Sequence, residues 1–173
     1  QNGQTGLMLA AHGGHLAAVQ LLIDHGADLN STAKFGLSAV MLAVIAGHKE
    51  IVQALARAGA DLTLQGTGAP GFTGKTVADL AAARGWNDLA IELAPDYIQA
   101  YANRAAAYYR KGDYDKAIAD YSRALDLAPD LVDAYNYRGD IYDIKREYDR
   151  AIADYTKALE LNPKLVETYV TRG

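Results

Sequence analysis

The chain has 173 residues, half of them apolar, and carries a net charge of −4 with no basic half, so we expect no nucleic-acid partner. It has no cysteine, which excludes disulfides, thiolate zinc sites and cysteine nucleophiles. No apolar run is long enough to cross a membrane, and the N-terminus lacks the basic and apolar regions of a signal peptide, so we expect a cytoplasmic protein.

The composition changes abruptly near Pro95. All four histidines and thirteen of the sixteen glycines precede this residue, whereas all twelve tyrosines follow it. We therefore predict two architectures in one chain, over residues 1–94 and 95–173.

Residues 1–94 repeat one pattern with a period of 33 residues. The Gly-His pair at 14–15 returns at 47–48, and the Gly-Ala-Asp-Leu run at 26–29 returns at 59–62. Each unit predicts a short apolar helix, a glycine turn, a second helix and an exit loop. This half resembles ankyrin repeats, and the resemblance implies three helix pairs joined by loops called fingers.

The opening of each ankyrin-like unit departs from the family pattern. Met8, Met41 and Asp79 stand where the family has a histidine whose hydrogen bonds tie the fingers together. The resemblance therefore implies fingers that are held more loosely. His12 and His15 flank two glycines and cannot share a helix face, so we interpret them as turn residues and expect no metal site.

Residues 66–76 contain two patterns typical of nucleotide-binding loops. One is G-x-G-x-x-G, and the other ends in Gly-Lys-Thr at 74–76. A phosphate loop needs a strand before it and a substantial helix after it, and neither is predicted here. The third copy follows the second by 38 residues instead of 33, which predicts a longer finger at 66–75. We expect no catalytic residue and no cofactor, and we keep a nucleotide-binding protein using Lys75 as the weakest alternative.

Residues 98–131 and 132–165 are identical at 17 of 34 positions, which chance does not produce. Residues 95–173 resemble tetratricopeptide repeats, with two copies and the beginning of a third. Gly112 marks a turn that places Asp113 to cap the next helix, and Arg146 occupies the same turn one repeat later at a cost of about 1 kcal/mol if left-handed. Four acids recur with this period, and we interpret them as solvated faces and caps: Asp115, Asp120, Asp149 and Asp154.

The junction contains no flexible linker. Residues 90–96 resemble residues 124–130, so one helix at about 86–94 is predicted to end the first array and begin the second. The predicted fold is all-α, a continuous α-solenoid of ankyrin repeats followed by tetratricopeptide repeats. A join this short suggests an engineered fusion.

The tetratricopeptide resemblance implies that the first helix of each pair lines a concave groove. The candidate groove residues are Gln99, Asn103, Tyr109, Arg110, Asn136, Tyr137, Asp140 and Asp143. With Asp133, the second repeat makes this groove acidic, which favours a basic or tyrosine-stacking peptide.

The ankyrin resemblance implies binding through finger tips. Phe35 and Phe72, the only phenylalanines, are either exposed anchors on adjacent fingers or side chains tucked under the loops. At the other end, Leu165, Val166 and Tyr169 lie on a half-repeat without a cap. We expect this edge to be frayed, paired with another copy in self-association, or produced by truncation.

These observations favour a non-catalytic interaction scaffold, an engineered rigid fusion of two modules. The alternative is a fragment of a natural adaptor that binds a protein or peptide partner in one or both grooves.

Overall fold

A computed structural model describes residues 3–68 and 70–164 of the chain. It divides into two compact units, Gln1–Pro95 and Asp96–Gly173, which we describe separately as the first and second unit. The described residues are helical apart from turns, loops and isolated bridges and contain no strand, which confirms the predicted all-α repeat fold. None of the described helices is long and apolar enough to cross a membrane.

The first unit consists of three helix pairs. The first helices of successive pairs pack on one another, α1 on α3 and α3 on α5, and α2 packs on α4. Their buried side chains include Leu7, Val44, Val52 and Leu89. The helices of this unit are α1 (Gly6–His12), α2 (Leu16–Asp24), α3 (Ala39–Ala46), α4 (Lys49–Arg57), α5 (Val77–Ala83) and α6 (Asn87–Leu93).

A capping box begins α5. The backbone N–H of Thr76 donates to the Asp79 carboxylate at 2.8 Å, and the backbone N–H of Asp79 donates to the Thr76 hydroxyl at 3.3 Å. This reciprocal pair satisfies two helix-end donors that have no partner within the helix. Asp79 therefore anchors the base of the longest finger, at a position where the expected histidine is missing.

A side-chain bond to a backbone carbonyl joins each helix pair of the first unit to the next. The Nε2 atom of His48 lies 3.1 Å from the carbonyl oxygen of His12. One repeat later, Arg84 Nη1 donates to the carbonyl oxygen of Ile45 at 2.8 Å. Trp86 stands where the third copy would have its histidine, and the Arg84 guanidinium lies 5.1 Å from the Trp86 ring. Arginine thus replaces the histidine bond.

The described part of the second unit, up to residue 164, forms two longer antiparallel helix pairs. They are α7 (Ile98–Lys111), α8 (Tyr114–Leu127), α9 (Val132–Ile144) and α10 (Tyr148–Leu161). Ala105 and Ala117, both fully buried, allow α7 and α8 to approach closely, and the α9 side chain Ile141 completes the core beside Tyr121. The apolar edge predicted at Leu165, Val166 and Tyr169 lies outside the described residues.

In each described repeat of the second unit, one buried ion pair joins the two helices. Arg104 forms two hydrogen bonds to Asp120, at 2.7 and 2.8 Å, and Arg138 forms two to Asp154, both at 2.7 Å. The side chains of Asp120 and Asp154 are 9% and 8% exposed. The interpretation of these two aspartates as solvated residues was wrong, because each satisfies a guanidinium between two helices.

The turns between paired helices confirm the predicted backbone geometry. Gly112 has φ of 79°, and Arg146, at the equivalent position, has φ of 61°. Asp113 occupies the N-cap position of α8, but its side chain makes no capping hydrogen bond. It lies instead 3.6 Å from Lys116, so the predicted side-chain cap was wrong.

Substituting Arg146→Gly is expected to stabilise the second unit by about 1 kcal/mol, because glycine adopts positive φ without a Cβ clash. Urea unfolding followed by tyrosine near-UV circular dichroism measures this, since all twelve tyrosines follow Pro95. The matched substitution Gly112→Arg should lower stability by a similar amount. Equal stability of the Arg146→Gly variant and the parent would show that the turn carries no strain.

Substituting Asp154→Ala is expected to destabilise the second unit by about 3 kcal/mol, because it leaves the guanidinium of Arg138 buried without its carboxylate. The same unfolding measurement tests this. The control Asp126→Ala removes an exposed carboxylate of α8 and should change stability by less than about 0.5 kcal/mol. Similar losses in the two variants would contradict a structural role for the buried pair.

Candidate functional site

The long finger of the first unit is a closed loop. The N–H of Gly66 donates to the Lys75 carbonyl at 3.0 Å, and the N–H of Gly74 donates to the Gly66 carbonyl at 2.9 Å. The N–H of Lys75 donates to the Phe72 carbonyl at 2.9 Å. Three backbone donors that could cradle a phosphate are therefore used inside the loop, and the seven-residue helix α5 follows it. This geometry favours a longer finger over a nucleotide-binding loop.

The two phenylalanines differ in exposure. Phe35 is 38% exposed and has a φ of 66°, which is strained for a residue with a Cβ atom. Its carbonyl oxygen accepts a hydrogen bond from the N–H of Thr67 at 2.6 Å, and Lys34 Nζ lies 4.8 Å from the ring centroid. Phe72 is half-buried. Phe35 therefore presents a ring at the surface, whereas the loop partly covers Phe72.

Helices α7, α8 and α9 enclose a cavity of about 210 Å³ in the second unit. Small and apolar side chains form much of its wall, and polar side chains from α7 and α9 stand beside them. Three of the predicted groove residues, Gln99, Asn103 and Tyr137, line this cavity. The lining residues are Gln99, Ala102, Asn103, Ala106, Tyr121, Leu131, Asp133, Ala134 and Tyr137.

Tyrosine rings form a connected cluster beside the cavity. The Tyr137 ring stacks on Tyr121, with centroids 5.8 Å apart and an interplanar angle of 15°. Tyr109 lies 6.3 Å from Tyr137 and 6.2 Å from Tyr114. Tyr121 is only 2% exposed, whereas Tyr137, which stacks on it, is 45% exposed and reaches the surface. This ring is available for stacking against a partner.

Polar groups in the groove are partly engaged with each other. Gln99 Nε2 donates to Asn103 Oδ1 at 2.9 Å, which leaves the amide nitrogen of Asn103 as a donor. The Tyr155 hydroxyl donates to Asp140 at 2.8 Å, and Asp140 is half-buried. This bond fixes one of the groove carboxylates.

The remaining predicted groove residues do not line the cavity. Arg110 and Asp143 are exposed on α7 and α9, and Asn136 is half-buried on α9. With Asp133 included, the predicted groove positions hold three acids, Asp133, Asp140 and Asp143, and one base, Arg110. The groove helices carry an excess of negative charge at these positions.

Among the described residues, nothing forms a hydrogen bond with the hydroxyl of Tyr121, although the atom is buried. One repeat later the equivalent Tyr155 donates to Asp140, whereas the position equivalent to Asp140 in the first repeat is Ala106. Alanine offers no side-chain acceptor, which explains the unpaired hydroxyl. An alignment of the two repeats shows this difference, because Ala106 and Asp140 are 34 residues apart. The sequence prediction includes Asp140 as a groove residue but does not identify Tyr121.

A second, wider cavity of about 350 Å³ lies at the turn between α7 and α8. Lys145, the C-cap residue of α9, reaches it and pairs with Asp115 at 2.5 Å. The carboxylate of Asp115 holds the pKa of Lys145 above its ordinary value. This surface pair joins two repeats. Across the described residues, no three metal-ligating side chains gather in one place.

Two family models match the chain. The model described as ankyrin repeats in three copies matches residues 1–66, and the tetratricopeptide repeat model matches residues 98–131 and 132–165. Both resemblances inferred from the sequence are therefore confirmed. The third copy predicted from the sequence lies beyond the residues that the ankyrin model matches. The structure forms the helices α5 and α6 in that segment. A search of curated proteins gives no match.

Removing the unpaired hydroxyl by Tyr121→Phe is expected to leave the stability of the second unit unchanged or slightly raised. The matched substitution Tyr155→Phe should lower it by about 1 kcal/mol, because it removes a hydrogen bond to Asp140. Urea unfolding of the two variants measures this difference. A loss in Tyr121→Phe as large as that in Tyr155→Phe would contradict the assignment of the unpaired hydroxyl.

The same variant tests a pH dependence. Burial raises the pKa of Tyr121 above its ordinary value of 10.0, and the nearby Tyr137 adds to the effect while Arg110 opposes it. The unfolded chain thus loses this proton at lower pH than the folded chain. The contribution to stability is complete below about pH 10 and is lost as the pH rises further. Tyr121→Phe should flatten this alkaline loss.

Proposed function

Because the chain consists of ankyrin repeats followed by tetratricopeptide repeats, both of them protein-interaction modules, we propose that it is a non-catalytic scaffold that binds a basic peptide segment in its tetratricopeptide groove. The cavity between α7 and α9 carries this proposal. It combines an exposed aromatic ring at Tyr137 with polar side chains and a small apolar wall, the combination typical of binding pockets.

Charge selects the kind of peptide. Asp133 lines the cavity, and Asp143 is exposed on the same helix. Arg110 is the one basic side chain among the groove positions named above. Lysine and arginine side chains of an extended peptide would meet complementary charge here, while their apolar stems would cover the ring of Tyr137.

The ankyrin half supplies a second candidate surface. Phe35 and Lys34 project a ring and a cation from the second finger, and the strained backbone of Phe35 is held by its bond to Thr67. Strain that the surroundings maintain is often found at binding sites. We propose this finger tip as a protein contact, with the partly exposed Phe72 of the long finger beside it as a secondary contributor.

The engineered origin of the chain and the shared helix between its two arrays stay predictions. The absence of a linker in the sequence supports an engineered fusion through a shared helix at about 86–94 and one continuous solenoid. A fragment of a natural adaptor would use the same groove chemistry. Both interpretations therefore lead to the same binding experiment.

The experiment measures fluorescence anisotropy of a labelled peptide with the sequence Gly-Lys-Gly-Lys-Gly-Lys-Gly, blocked at both ends. The lysine peptide is expected to bind at low salt, and Tyr137→Ala should weaken it about tenfold, equivalent to about 1.4 kcal/mol. Asp133→Asn should weaken it about threefold by removing one complementary charge.

Two controls separate groove binding from bulk charge. The same peptide with glutamate in place of lysine should not bind. Asp126→Asn changes the net charge as much as Asp133→Asn does but lies on the exposed face of α8, so it should leave the dissociation constant unchanged. Equal effects of the two substitutions, or binding unaffected by Tyr137→Ala, would contradict the groove.

A further inference from the structure

The cavity of the second unit is chemically incomplete when it is compared with the next repeat. Tyr155 and Asp140 form a hydrogen bond, and their counterparts one period earlier are Tyr121 and Ala106. Ala106 lines the cavity together with Tyr121, whose hydroxyl is itself covered from solvent. A hydrogen-bond acceptor placed beside Ala106, in the space that a carboxylate there would fill, would satisfy the hydroxyl once it is uncovered.

The groups around this space call for a ligand with both an acceptor and donors. The Tyr121 hydroxyl and the Asn103 amide nitrogen are donors, and the Asp133 carboxylate is an acceptor. A primary amide has one carbonyl oxygen and two N–H groups, which complements this set. The methyl groups of Ala102 and Ala134 provide apolar contact for the methylene groups of a side chain.

The alternatives match the cavity less well. A carboxylate would face Asp133, and of the described residues that line the cavity none is lysine, arginine or histidine. An ammonium or guanidinium group would pair with Asp133 but offers only donors, so the proton of Tyr121 would still lack an acceptor. An apolar side chain would leave both the hydroxyl and the amide unpaired.

We propose that this cavity takes the side-chain amide of a glutamine in the partner peptide, with its carbonyl oxygen accepting from Tyr121 and its amide nitrogen donating to Asp133. This assignment rests on the groove proposed above as the peptide-binding surface. Lysines on either side of the glutamine pair with the exposed groove acids. The glutamine oxygen takes the place that the Asp140 carboxylate has in the following repeat.

For this contact to form, the hydroxyl of Tyr121, which is buried, must be uncovered. The ring of Tyr137 stacks on Tyr121 at 5.8 Å between centroids, yet the residue is 45% exposed. In this proposal an outward turn of the Tyr137 ring uncovers the hydroxyl when the amide enters, a rotamer change open to an exposed side chain on a fast timescale. The rotated ring then lies against the inserted side chain instead of against Tyr121.

A small probe tests the site without relying on the peptide. N-acetyl-glutamine N-methylamide is titrated into the full chain labelled with ¹³C at alanine methyl groups, and the shifts of Ala102, Ala106 and Ala134 are followed. The corresponding glutamate and norleucine derivatives serve as comparison probes. The glutamine probe is expected to bind at least fivefold more tightly than either.

Two substitutions remove the proposed interaction in different ways. Tyr121→Phe deletes the donor, and Ala106→Asp supplies an internal acceptor of the kind that Asp140 gives Tyr155. Both should raise the dissociation constant of the glutamine probe at least fivefold, and Tyr121→Phe should bring it to that of the norleucine probe. Tyr148→Phe, the same change at an exposed position, should have no effect. An unchanged constant in Tyr121→Phe, or tighter binding of glutamate, would overturn the proposal.

A pair of peptides distinguishes this inference from the proposed function. The lysine peptide described above is extended with glutamine or norleucine at its centre and measured by anisotropy. Tighter binding of the glutamine peptide, lost in Tyr121→Phe, supports the inference. Binding of both peptides with equal affinity overturns the inference and leaves the basic groove intact. Failure of both peptides to bind, with the glutamine probe still selective, contradicts the basic groove and supports the amide site.

Discussion

Stacking of successive helix pairs is the constraint on which the structure depends, because no pair can bury its apolar faces alone. Leu9 and Leu42 are equivalent residues one repeat apart, yet Leu9 is 56% exposed and Leu42 is 7% exposed. In the second unit, Ile152 is 61% exposed, whereas its counterpart Ile118 packs against the core. The burial of a residue is therefore set by the neighbouring repeat as much as by its own helix.

Small residues and ion pairs make this stacking specific. In the second unit, Ala105 and Ala117 permit close helix approach, and in both described repeats an arginine on the first helix binds an aspartate on the second. Arg138 also donates to Ser122 of the preceding repeat at 2.8 Å, so its guanidinium holds three helices. Its pKa is raised chiefly by the hydrogen bonds to Asp154. A charged group satisfied in this way fixes the spacing of the helices.

Differences between repeats create the features that carry function. Trp86 stands where His48 does one repeat earlier, and Arg84 restores the lost bond to a carbonyl. Ala106 stands where Asp140 does one repeat later, and no other side chain in the described part of the chain restores the bond to Tyr121. The first difference is compensated and preserves the fold. The second leaves a buried donor beside a cavity, which is why that cavity is the candidate site.

The sequence by itself determined the two periods, the all-α fold and the turn position that Gly112 and Arg146 share, because each follows from local backbone chemistry repeated at a fixed interval. Only the tertiary structure decided that Asp120 is buried while the side chain of Asp115 is 88% exposed, although both recur with the same period. It also decided the exposure of Phe35 and the isolation of the Tyr121 hydroxyl. A period records which positions are equivalent, whereas burial and hydrogen bonding depend on the side chains that the neighbouring helices bring to each position.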